Sequence, residues 1–135
     1  MLKPGGRLAV STWGRDDERW AWLGDLRQKY MPALLAGPPS NAPAFNQPQA
    51  MQTALRECGL TNVQAIEDEY ELMYADEDVW LAVQWSHGMR YLLEAADPTA
   101  RDQLRAEAFA HLQAQQGSHG IPRRLGVLCT TGVKP

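Results

Sequence analysis

At 135 residues the chain is of single-domain size and long enough to bury a core of its own. Its net charge is −3, only Lys3, Lys29 and Lys134 are lysines, and the arginines are scattered, so no basic face of the kind nucleic acid requires is present. The chain is 44% apolar yet lacks a run long enough to span a bilayer as a helix, and Cys58 and Cys129 form neither a CxxC nor a disulfide framework. These features predict a cytoplasmic protein with two reduced, buried thiols.

Leu2-Lys3-Pro4-Gly5-Gly6 reads as a tight turn feeding a short apolar strand over 7–13. A turn so early implies that the chain enters its fold partway through. Residues 16–36 predict a helix, with Asp16 or Asp17 as cap and Trp20, Leu23, Leu26, Tyr30 and Leu34 as its apolar face. Pro32 is a point where it can kink or split. Residues 37–48, rich in Pro, Asn, Ser and Ala, read as a surface loop or flap.

A short helix over 49–58 is stopped by Gly59. A long strand over 63–74 follows, its imperfect alternation predicting a bulge near Glu67. Residues 76–95 predict a helix capped by Asp76 and interruptible at Gly88, and 99–116 a second one begun by Asp97-Pro98. The last strand is expected over 124–131. Three strands among more helices imply α/β packing in one domain over 1–135. A three-stranded sheet has two edges, and the 7–13 edge carries few residues that would deter pairing.

Three segments carry a family resemblance. Leu2-Lys3-Pro4-Gly5-Gly6-Arg7-Leu8 resembles the turn into the fifth strand of class I S-adenosylmethionine-dependent methyltransferases. Leu55-Arg56-Glu57-Cys58-Gly59-Leu60-Thr61-Asn62-Val63 is similar to the helix end before their sixth strand, with Cys58 and Leu60 where alanine and phenylalanine are common. Leu128-Cys129-Thr130-Thr131-Gly132-Val133-Lys134-Pro135 is similar to their last strand. The nearest branch is that of type 11 and ubiquinone/menaquinone-biosynthesis-like enzymes. The resemblance covers only the C-terminal half of that fold. It implies a partial Rossmann-like fold, a small mixed sheet in which 124–131 lies between 7–13 and 63–74, with inserted helices forming a cap.

The same resemblance implies that the cofactor-binding half is missing. No strand here is followed by a glycine-rich loop, and Gly5-Gly6 precedes a strand instead. The expectations are therefore a substrate-side half, inactive alone, with no cofactor unless an N-terminal half supplies an S-adenosylmethionine site. A homodimer, segment exchange or a complementary N-terminal half would cover the bare edge. A small apolar ligand is a further expected partner; nucleic acid and membrane are not.

No residue is assigned to catalysis, cofactor or metal. The candidate pocket residues are Trp13, Trp85, His87, Arg90 and Tyr91. By the resemblance Trp13 lies at the floor of the acceptor pocket; packing in a core or interface is the plainer alternative. Trp80, Trp85 and Tyr91 are candidates for an apolar cleft under the inserted helices, or for ordinary core. Trp20 and Trp22 straddle their helix, which predicts that one faces a partner. His87 beside Gly88, in an expected helix break, is a candidate general base. His111 and His119 share no metal-ligand spacing with it. Glu67, Asp68, Glu69 and Glu71 read as paired carboxylates or as a solvated strand, and Arg123-Arg124 as an anion contact or surface ion pairs.

Overall fold

The computed structural model describes residues 2–36 and 44–135. In chain order these form β1 (Arg7–Asp16), a 3-10 turn (Glu18–Trp20), α1 (Ala21–Tyr30), α2 (Pro32–Leu35), α3 (Pro48–Glu57), β2 (Thr61–Tyr74), α4 (Glu77–Ser86), α5 (Met89–Ala95), α6 (Pro98–Gln115) and β3 (Ile121–Val133). Most of the expected 37–48 loop lies outside the described residues; 44–47 is a turn before α3.

Both long expected helices are divided. The helix expected over 16–36 begins later, because β1 runs on to Asp16 through a register shift between the pairs Trp13↔Val127 and Asp16↔Leu125. Gly126 permits that irregularity: a Cβ there would stand 2.6 Å from the backbone N and O of Arg15. Asp17 Oδ2 accepts the Arg124 N–H at 2.7 Å instead of capping a helix. The remainder breaks at Met31 (φ −135°, ψ 39°), the residue before Pro32, where proline disfavours helical geometry. The helix expected over 76–95 breaks at His87, which is extended (φ −136°, ψ −165°). Its start is as expected: Asp76 Oδ1 accepts the Val79 N–H at 2.8 Å. At α6, Asp97 Oδ1 accepts from Thr99 and Ala100 at 2.9 and 3.1 Å, with Pro98 in the first turn.

The sheet order is β1-β3-β2, with the last strand central. β1 pairs antiparallel with β3, from Arg7↔Val133 to Trp13↔Val127. The start of β2 meets the end of β3, since a Cβ on Gly132 would lie 3.4 Å from Val63 Cγ2. The end of β2 meets the start of β3: Gly120 (φ +108°) is held so close that a Cβ would fall 2.2 Å from the Tyr74 carbonyl oxygen. The sheet is therefore antiparallel throughout, not mixed as expected. β1 and β2 run the same way, but β3 is inserted between them and no parallel neighbours remain. β2 runs from Thr61 to Tyr74 as one strand.

The described residues fall into two compact units. A helical unit holds the Glu18–Trp20 turn, α1, α2, β2 from Glu71, α4–α6 and β3 through Arg123. Its core combines Trp20, Leu23, Leu26, Trp80, Leu93 and Leu104 with Ala108, Leu112 and Ile121, the last three 0% exposed. Trp20 Nε1 donates to the Pro122 carbonyl at 3.0 Å. Trp20 stacks on Trp22 at 5.5 Å, and Trp22 stacks on His111 at 4.6 Å with the planes 6° apart. Stacking brings both tryptophans to one cluster, so neither is left facing outward alone.

A sheet unit holds β1, α3, β2 through Tyr70 and β3 from Arg124. Its buried side chains are few: Met51 and Leu55, one turn apart on α3, with Leu128 and Thr130 of β3; Cys58, at the end of α3, is exposed and Cys129 half-buried, so the thiols are not buried as expected. Leu8, Val10 and Thr12 share a face with them, being paired to Gly132, Thr130 and Leu128. On this covered face Thr12 Oγ1 donates to the Phe45 carbonyl at 2.8 Å. The other face carries Trp13 and Ile66, which are 66% and 62% exposed.

Candidate functional site

The helical unit holds a partly open apolar cavity of about 70 Å³. Leu23 of α1, Trp80, Leu81, Gln84 and Trp85 of α4, Met89 and Leu93 of α5, and Leu104 of α6 line it, with Arg27, Arg101, Asp102 and Arg105 adding charge. Its position follows from local sequence. Trp80 and Gln84, and Leu81 and Trp85, are each one turn apart on α4, and the break at His87 and Gly88 lets α5 return across the same space. Trp80 is 1% exposed, and its buried Nε1–H has no acceptor among the described residues. Gln84, 3% exposed, donates from Nε2 to the Trp80 carbonyl at 3.3 Å. Arg101 donates to the Leu93 carbonyl at 3.4 Å.

Two wider hollows lie in the sheet unit. One, of about 320 Å³, is lined by Gly14, Arg15, Glu67–Glu69, Gly126 and Val127; the other, of about 410 Å³, by Arg15, Asp16, Asn46–Gln49 and Glu67. Both have mostly polar linings that water solvates well, so the smaller apolar cavity is the better candidate for a ligand. Arg124 and Glu69 lie 3.7 Å apart there, with more than half of each side chain exposed. Among the described residues no three His, Cys, Asp or Glu side chains are placed to hold a metal ion.

Of the five residues expected to form a pocket, Trp85 lines the cavity. His87 is exposed and its Nδ1 accepts the Met89 N–H at 3.2 Å, closing the turn between α4 and α5. Arg90 is exposed and its Nε pairs with Glu94 at 2.7 Å; Tyr91 is 70% exposed. Trp13 belongs to the open face of the sheet unit. The α6 contribution, Arg101, Leu104 and Arg105, was missed, although its spacing of three and one marks a single helix face.

A second cluster ties α1 to α6. Lys29 Nζ donates to Glu107 at 2.7 Å, and the Tyr30 hydroxyl donates to the same carboxylate oxygen. The Glu107 bond, then Tyr30, holds Lys29 above its ordinary pKa. The Lys29 bond, then Tyr30, holds Glu107 below its ordinary pKa. This is a surface clasp, with the Lys29 ammonium also 4.8 Å from the Tyr30 ring centre.

No protein-family model and no curated protein matches the chain. No helix among the described residues is long and apolar enough to cross a membrane.

Proposed function

We propose that the chain is the acceptor-side part of an S-adenosylmethionine-dependent small-molecule methyltransferase, inactive alone, whose helical unit binds a small apolar molecule. The observation that carries the ligand reading is the partly open apolar cavity between α1, α4, α5 and α6. The strand order β1-β3-β2 with antiparallel β3 in the middle supports the fold resemblance. Size limits the ligand. The cavity is about 70 Å³, well below the roughly 300–1,000 Å³ of pockets for drug-sized molecules. The reading therefore gives it a small acceptor and assigns the cofactor to no residue of this chain. Trp80 and Trp85 supply apolar walls, and the unpartnered Trp80 Nε1–H offers one donor. A non-catalytic, dimeric ligand-binding module is the second reading, favoured by the bare sheet face that exposes Trp13 and Ile66.

The test is a titration of phenol and of indole into the purified chain, followed by the indole N–H resonances of Trp80 and Trp85. Saturable shifts of both are expected with at least one probe, and their loss in Leu81→Phe, which fills the cavity. Unmoved resonances with both probes would overturn the ligand reading. S-adenosylmethionine alone is expected not to bind; stoichiometric binding in the same assay would overturn the acceptor-only assignment.

A further inference from the structure

We propose that a second copy of this chain packs face to face on the open side of the sheet unit, about a two-fold axis lying between the two sheets and across the strands, near Cys129 and Ile66. The proposal concerns the sheet unit alone and does not depend on the ligand reading. The open side is defined by pairing. Opposed residues share a face, so Arg7, Ser11 and Trp13 lie beside Val133, Cys129 and Val127. Val63 shares the covered face with Gly132, and alternation along β2 puts Gln64, Ile66, Asp68 and Tyr70 on the open side.

This side has the exposure of an uncovered interior. Trp13, Ile66 and Tyr70 are 66%, 62% and 49% exposed, and Val127 and Cys129 remain partly exposed although they belong to the central strand. A sheet with one face packed on a helix and the other leaving Trp13, Ile66 and Tyr70 to solvent gains from a second layer over those three. Pairing two copies through the β1 edge would lengthen the sheet and leave this face open, so edge pairing does not meet the need.

The pattern along β1 favours a copy of itself. Arg7 stands at one end of the face and Asp16, paired to Leu125, at the other. An in-plane two-fold across the strands lays β1 over β1 in reverse. Arg7 then faces Asp16 of the second copy, and bulky Trp13 falls over small Ala9. Aligned sheets of this kind stack about 10 Å apart with a turn of roughly 30°. Three strands about 4.8 Å apart and about 33 Å long give a footprint of roughly 500 Å². That is below the ~800 Å² per partner of standard interfaces, so the dimer dissociates on dilution.

Sedimentation equilibrium of the full chain over a concentration series tests this, with Ile66→Lys and the single-thiol variant Cys58→Ser alongside. The expected results are a monomer–dimer equilibrium for the wild type, a monomer for Ile66→Lys with an unchanged circular dichroism spectrum, and a thiol-to-thiol cross-linked dimer of Cys58→Ser through Cys129 with a short bismaleimide, because sheets about 10 Å apart hold the two thiols too far apart for a direct disulfide. In an edge-paired dimer the two Cys129 residues would be several strands apart and would not link. A wild-type chain monomeric at every concentration, a dimer that survives Ile66→Lys, or a dimer that yields no Cys129 link would each overturn the proposal.

Discussion

The two units bury apolar surface in contrasting ways. In the helical unit, α1, α4, α5 and α6 converge on Trp80, which is 1% exposed, and on Ala108 and Leu112, both 0% exposed. In the sheet unit one face packs with α3 through Met51 and Leu55, while the other leaves Trp13 66% exposed. Apolar content alone does not distinguish them. The helices converge from several directions and enclose a common centre, whereas a single sheet always has two faces and α3 can serve only one. The helical unit therefore surrounds its core with helices, whereas the sheet unit leaves Trp13 and Ile66 exposed on one face.

The largest effect that would break this contrast is expected at Trp80. Trp80→Ala should cost about 3–5 kcal/mol in denaturant unfolding, because the ring fills the centre of the core and its removal joins a new void to the cavity. By comparison Ile66→Lys, on a face already wet in the monomer, should change monomer stability by less than about 0.5 kcal/mol. An intermediate effect is expected at the start of α6. Asp97→Ala removes two capping hydrogen bonds and should cost about 1 kcal/mol.

The smallest effect is that of the Lys29–Tyr30–Glu107 clasp, and its sign follows from the shifts. Glu107 is lowered, so its contribution is present above its ordinary pKa of 4.5 and is lost as pH falls through the lower folded value. Lys29 is raised, so its contribution is present below 10.5 and is lost as pH rises through the higher folded value. A Glu107→Gln variant should therefore approach wild-type stability at acid pH and fall slightly below it near neutrality. Thermal melts at both pH values check this, and an equal deficit at both would show that the carboxylate's charge contributes nothing there.

Much of the architecture was legible because it rests on local signals. Asp76, Asp97-Pro98 and Gly59 mark helix ends, and the apolar run at 7–13 marks a strand. The misread parts depend on what lies across the sheet. Asp16 and Asp17 have the chemistry of helix caps, but β1 continues through Asp16 because Gly126 on the neighbouring strand leaves room for the irregular backbone at Arg15, and Asp17 accepts the Arg124 N–H. The exposure of Trp13 was hidden in the same way: alternation separates the two faces of a strand without showing which of them a helix will cover. The cavity was half visible. Trp80 and Trp85 drew attention to α4, but Leu23 and Leu104 reach it from distant parts of the chain. His87 and Arg90 lay close in sequence and were read as part of the pocket. The helix break that makes them conspicuous also turns His87 to its own backbone and leaves Arg90 paired with Glu94 at the surface.

The most direct test of the contrast is residue-resolved hydrogen exchange at low and high protein concentration. The account predicts that the amides of Leu104, Ala108 and Leu112 exchange slowly and independently of concentration, while those of β1 and β3 around Trp13, Val127 and Cys129 become more protected as concentration rises. Equal, concentration-independent protection in α6 and the sheet would contradict it, showing that the sheet unit is as self-sufficient as the helical one.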